Sequence, residues 1–254
     1  MELPRESVDF LYVDPPFNTG KSKASPVRAA LKGRAGDAVY VDRWDTMAAY
    51  VAWLRERVVA TLPAMKRSGV VAIHCDFRAC HHIRLLLDDL LGEASFVNHL
   101  IWSYGLGGSS PRRFARKHDD ILVYVIDAQR YYFDPPMVPA TSERLRGKLK
   151  KATDVLNIPS LNNMAAERTG YPTQKPLELL MLLVRAFSPP GGTILDPCCG
   201  SGTTIEAAVN LGRNAIGFDQ NPQAIEIATK RLMTCGAHGA HGGRRRANAD
   251  GRPA

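Results

Sequence analysis

The chain has 254 residues, of which 45% are hydrophobic and 23% charged. Those fractions exclude a fibrous or wholly disordered polypeptide and suit a globular protein with a sizeable core. Its 33 Lys and Arg against 25 Asp and Glu leave a formal charge of +8, part of it in the tail; the basic runs at 20–34 and 142–151 suit a polyanion about as well as a solvated surface. The longest apolar stretch, 177–187, is broken by Glu178 and Arg185 and is too short to span a bilayer. The first residues carry no apolar signal region. Five cysteines without a C-x-x-C pair imply neither a disulfide framework nor a zinc knuckle, so a cytoplasmic setting is the default.

The apolar run 8–13, ending at Asp14, reads as a buried strand opening into a loop at Pro15 and Pro16. Residues 20–43 read as a long loop, basic over 20–34, where Lys21, Lys23, Arg28, Lys32 and Arg34 meet no acid. Helical spacing of Tyr50, Trp53, Leu54, Arg57 and Val58 predicts a helix over 44–66. A second buried strand follows at 69–74, then a helix at 80–91 closed by Gly92. Strand-like runs at 97–104 and 120–127 flank a loop at 105–118 and are expected to pair antiparallel at a sheet edge. Residues 128–170 read as irregular, with a basic cluster at 142–151. Then come a helix at 176–187, a strand at 192–196, a Gly-rich turn, a helix at 203–211, a strand at 214–219 and a helix at 222–233. The tail 235–254 reads as a disordered basic appendage, leaving 1–234 as a single domain. Strands alternating with helices predict an open, mostly parallel α/β sheet with helices on both faces. Ligands bind such sheets off the carboxyl ends of the strands, where Asp14, Asp196 and Asp219 would lie.

Two motifs carry the chemistry. In Asp196-Pro197-Cys198-Cys199-Gly200-Ser201-Gly202-Thr203-Thr204 a strand ends, glycines admit a ligand close to the backbone, and a helix begins. Asp219, at the next strand end, is placed to bind ribose hydroxyls. A P-loop would need Lys after Gly202, and the dinucleotide pattern would need Gly or Ala at Ile205, so both phosphate ligands are disfavoured. S-adenosylmethionine has no phosphate; its carboxylate can face the helix start and its ammonium Asp196. The bland alternative is a tight strand–helix turn without a ligand.

The second motif is Asp14-Pro15-Pro16-Phe17-Asn18-Thr19-Gly20. With it, segments at 74–76, 96–102, 117–124, 171–176 and 211–213 follow in matching order, and the chain resembles the β class of amino-directed DNA methyltransferases over roughly 7–233. The resemblance implies a Rossmann-like methyltransferase fold with permuted motif order. Its catalytic half would span about 7–127, a recognition segment 105–165 and a cofactor half 170–234. It implies S-adenosylmethionine as cofactor and double-stranded DNA as substrate, with Asp14, Pro15, Pro16 and Phe17 catalytic.

An adenine or cytosine amino group is a weak nucleophile, because its lone pair is conjugated into the ring. Two acceptors, the Asp14 carboxylate and the Pro15 carbonyl, can hold its N–H bonds and aim the lone pair at a methyl group. Phe17 offers a face on which a flipped base stacks. Asp-Pro-Pro recurs at 134–136, but Met137 follows, and it reads as a decoy. The resemblance makes Thr173, Gln174 and Lys175 a wall of the cofactor site, and Asp-Pro-Pro favours adenine N6 over cytosine N4. Lys21, Lys23, Arg28, Arg112 and Arg113 are expected to meet DNA. The short recognition segment fits a short target read by a homodimer, with or without a cognate restriction enzyme.

Family members usually carry a further strand upstream of the first motif, whereas only 13 residues precede Asp14. The sheet is therefore expected to lack an edge strand beside the cofactor adenine, and cofactor binding is expected to be weak. Cytosine-C5 chemistry would need a Cys on a loop near the base; Pro197-Cys198 sits in the cofactor turn instead. His74, Cys75, Cys80, His81 and His82 match no usual zinc spacing, so no metal is expected. Two rival readings remain, a methyltransferase on RNA or protein and a catalytically dead DNA-binding relic.

Overall fold

The structure, a computed structural model, describes residues 3–20, 23–24, 38–40, 42–105, 109–140, 142–162 and 164–239. Its strands are β1 (Val8–Val13), β2 (Lys23–Ala24), β3 (Ala38–Tyr40), β4 (Met65–Cys75), β5 (Phe96–Ser103), β6 (His118–Val125), β7 (Met137–Pro139), β8 (Leu149–Lys151), β9 (Val155–Asn157), β10 (Thr193–Asp196) and β11 (Asn214–Gly217). The helices are α1 (Met47–Thr61), α2 (Cys80–Leu91), α3 (Leu177–Phe187), α4 (Thr203–Asn210) and α5 (Pro222–Gly239).

Seven strands form one sheet in the order β11-β10-β1-β4-β6-β5-β9. The pairs from β11 through β4 are parallel, β6 runs antiparallel to both neighbours, and β9 joins β5 in parallel. The pleat divides the core in two. Phe10, Tyr12, Val70, Ala72, Ile121 and Val123 face one way and pack against α3 and α4. Leu11, Val13, Val71, Ile73, Leu122 and Tyr124 face the other way, toward α1 and α2. Because the central strands are covered on both sides, their buried stretches are mostly apolar rather than alternating.

Most expected elements form, with instructive differences. The helix expected over 44–66 starts at Met47, where Thr46 caps it by accepting a hydrogen bond from Ala49 N at 3.1 Å. It stops at Thr61 because Pro63 cannot donate to a continuing helix, and Met65–Arg67 extend instead as the first part of β4. The β5–β6 pair is antiparallel as expected, but it is not the edge: β9 lies outside β5. Within 128–170, read as irregular, β7 and β8 also form a small hairpin. Helix α5 continues to Gly239 instead of ending at Met233. No helix among the described residues is long and apolar enough to cross a membrane.

Candidate active site

Adjacent parallel strands β1 and β10 bring two turns together at their carboxyl ends. Asp14 follows β1 directly, and Asp196 is the last residue of β10. Both turns line one cavity of about 270 Å³, which contacts Asp14 through Phe17 on one side and Asp196 through Ser201 on the other. Thr203, Thr204, Asp219, Thr173, Gln174 and Lys175 also line it, so the expected catalytic and cofactor residues are brought together; of these only Gly202 does not touch the cavity.

The glycine turn is built tightly. Gly202 has φ +77°, and a Cβ there would lie 2.7 Å from the Ala228 Cβ of α5. Gly200 has φ +50° and donates its N–H to Asp219 at 3.0 Å. The Asp219 carboxylate also accepts from Asn221 N at 2.8 Å, which fixes its direction. Arg231 of α5 clamps the turn from behind: it pairs with Glu206 of α4 and donates to Thr203 Oγ1 at 2.9 Å. Thr203 and Thr204 open α4, so the positive end of that helix meets the cavity.

Asp196 is fully buried, and among the described residues no Lys or Arg lies within ion-pair distance of it. It accepts from Cys198 N at 3.0 Å and from the Thr204 hydroxyl. Burial raises its pKa from 3.8 to about 7, against those hydrogen bonds, with Asp14 and Asp219 adding to the rise. Burial likewise pushes the Cys199 thiol up to about 12 and Cys198 well above its ordinary value, reinforced by the neighbouring carboxylates. Neither cysteine is therefore set up as a thiolate nucleophile.

On the catalytic side, Lys175 Nζ donates to Asp14 Oδ2 at 2.5 Å and lies 5.1 Å from the centre of the Phe17 ring. Sequence reasoning placed Lys175 on the cofactor wall; it also reaches the catalytic turn. Gln174 acts as a brace, accepting from Thr169 N and donating to Glu167 O, each at 2.8 Å. Behind Phe17 stands an aromatic wall. The His74 ring lies 5.7 Å from Phe17 and meets Trp102 edge-on at 5.6 Å. His74 Nδ1 is 2.8 Å from the Tyr12 hydroxyl, and Nε2 is 3.3 Å from Asp119. Burial opposes ionisation of Asp119, but the His74 contact and the Lys175 charge outweigh it and hold the carboxyl below its usual range.

Sequence reasoning missed several of these groups. Asp42, buried and lining the cavity, accepts from the Thr19 hydroxyl and so closes the neck of the 20–43 excursion. Asp119 and Trp102 fell within segments 117–124 and 96–102 of the family resemblance, but neither was given a role at the site. Their signal was the alternation of β6 and β5, which puts Asp119 on the same face as Ile121 and Trp102 on that of Leu100. Arg112 and Arg113 are exposed on the 105–118 connection, while Lys21 and Arg28 lie outside the described residues, as does the Lys23 side chain. The second Asp-Pro-Pro lies off this cavity, with Asp134 paired to Arg185 at 3.4 Å.

The model of a family described as DNA methylase matches residues 8–230. The chain is 28% identical over 245 residues to the type II methyltransferase M.ScaI of Streptomyces caespitosus, covering 91% of this chain and 76% of that one. It is also 28% identical over 247 residues to the DNA adenine methyltransferase YhdJ of Escherichia coli, covering 91% and 78%. Among solved structures, an M1.HpyAVI–SAM complex superposes with a TM-score of 0.61 at 24% identity, covering 89% of each chain. The cytosine-N4-specific PvuII methyltransferase superposes with a TM-score of 0.66 at 15% identity, covering 91% and 81%. At these identities the structural likeness speaks for the fold alone.

Proposed function

Since the chain belongs to the N6/N4 DNA methylase family, we propose that it transfers a methyl group from S-adenosylmethionine to the N6 amino group of an adenine flipped out of duplex DNA. The observation that carries this reading is the single cavity shared by the Asp14–Phe17 turn and the glycine turn. The residues present fit the cofactor. The buried Asp196 has no cationic partner among the described residues and suits an ammonium; the start of α4 suits a carboxylate; Asp219 suits ribose hydroxyls. When bound, S-adenosylmethionine supplies a methyl group already activated by its sulfonium.

The chain's own residues then position the nucleophile. The Asp14 carboxylate and the Pro15 carbonyl accept the two N–H bonds of the base, which pulls the nitrogen toward a pyramidal geometry and directs its lone pair. Asp14 stabilises the positive charge that develops on that nitrogen and holds the proton it loses. Phe17 stacks on the base, with His74 and Trp102 supporting the ring from behind. Lys175 Nζ lies against Asp14 and over Phe17, at the place the amino group would take. The incoming base replaces this contact.

Adenine is favoured by the Asp of the catalytic motif and by the likeness to the adenine enzyme of Escherichia coli. The test is methyl transfer from labelled S-adenosylmethionine, followed by nucleoside analysis of the product. N6-methyladenine in duplex DNA is the expected result, N4-methylcytosine would reassign the base, and label on RNA or peptide alone would overturn the assignment to DNA.

A further inference from the structure

On the face of the sheet opposite His74 and Asp119, three further donor groups converge. Asp120 and Cys75 are register partners across β6 and β4, and His99 of β5 is opposite Leu122, so it sits diagonal to Asp120. Cys80 is the first residue of α2, which covers this face. A single ring nitrogen is approached from two sides: His99 Nε2 is 2.7 Å from Asp120 Oδ1 and 3.7 Å from Cys80 Sγ. The three donor atoms all lie within 4.8 Å of one another. One N–H can satisfy only one of those neighbours well, whereas a cation at the centre would satisfy all three.

The surroundings favour a cation. Asp120 is buried, and among the described residues His99 is its only ion-pair partner. Cys80 is buried as well, with the Cys75 thiol hydrogen-bonded to it. The Arg84 guanidinium, whose charge reaches Cys80, is already engaged by Asp88 at 2.9 Å and by the Phe96 ring. One sulfur, one imidazole nitrogen and one carboxylate oxygen form a mixed donor set that suits a borderline-soft divalent ion rather than calcium or magnesium.

We propose that Cys80, His99 and Asp120 form a binding site for one zinc-type divalent cation, the half-exposed edge of His99 leaving the fourth position to water. The cation ties the start of α2 to β5 and β6. Its ligands and neighbours alternate with the base-facing wall: Cys75 follows His74 in β4, and Asp120 follows Asp119 in β6. The site is thus a clip behind the base pocket and takes no part in methyl transfer.

The experiment is a cobalt(II) titration of the chelator-treated full chain. The expected result is one Co²⁺ per chain, with a thiolate-to-cobalt charge-transfer band and tetrahedral visible bands, displaced by Zn²⁺. Cys80→Ser abolishes the charge-transfer band, and His99→Gln weakens binding by about tenfold or more, while the exposed pair His81→Gln and His82→Gln leaves both unchanged. Should Cys80→Ser fail to fold, His99→Gln, at a half-exposed position, carries the test. Absence of the band, its survival at full affinity in His99→Gln, or recovery of a Cys75–Cys80 disulfide from the native chain overturns the proposal. The readout is metal rather than methylation, so it stands or falls independently of the proposed activity.

Discussion

Replacing Asp196 with Asn separates what the cofactor site needs from what the fold prefers. The carboxyl is fully buried, and its pKa rises from 3.8 to about 7. The folded state therefore holds the proton more tightly than the unfolded chain, and stability falls as the pH rises between those two values. Each pH unit of difference corresponds to about 1.4 kcal/mol, so the buried charge costs roughly 4 kcal/mol above neutrality. An amide removes that cost and keeps an oxygen to accept from Cys198 N and Thr204. Its new N–H groups face the cavity and lose some solvation, which leaves a net gain of about 2–4 kcal/mol at alkaline pH. Urea unfolding of parent and variant at about pH 8 and about pH 4 measures this directly: the variant is the more stable at the higher pH, and the gap closes at the lower one. Calorimetric titration with S-adenosylmethionine gives the other half, because the variant has no carboxylate to meet the ammonium and binds more weakly. A gap independent of pH, or a variant less stable than its parent at about pH 8, would refute the assignment of a strained, unpaired carboxylate.

Other expectations follow from the same geometry. Asp14→Ala lowers the methyl-transfer rate by roughly a hundredfold or more while S-adenosylmethionine still binds, as single-turnover kinetics and calorimetry will show. Phe17→Ala weakens capture of a flipped base by about 1–3 kcal/mol, measured with 2-aminopurine fluorescence at the target position, and Phe17→Tyr retains it. Gly202→Ala destabilises the fold by about 2–4 kcal/mol, combining left-handed strain with a clash on Ala228, whereas Gly92→Ala, with open space around it, costs only the strain. Replacing Arg112 and Arg113 together with Ala flattens the slope of log affinity against log salt by about two for duplex DNA; an unchanged slope removes them from the interface.

The sheet was legible wherever one local signal decided the outcome. The run 8–13 is apolar at almost every position because β1 is buried on both faces, and the turn after β10 announces itself through Gly200 and Gly202. What stayed illegible depends on long-range closure. Three residues at 155–157 carry no periodicity, and β9 exists only because β5 offers an edge to pair with. Lys175 meets Asp14 across 161 positions of sequence, so no local pattern could reveal the pair. The Cys80, His99 and Asp120 donors come from three separate elements at spacings that match no motif; only the register of β5 on β6 and the seating of α2 bring them together.

The reversal of β6 has a consequence for how such a protein can change. Because β6 runs against β4, the start of β6 and the end of β5 emerge at the same rim as Asp14. The connection between them can then lengthen, shorten or be swapped without disturbing the strands that hold the methyl-transfer chemistry. The rim of the sheet thus separates a connection that is free to vary from the strands that fix Asp14 and Asp196 in place.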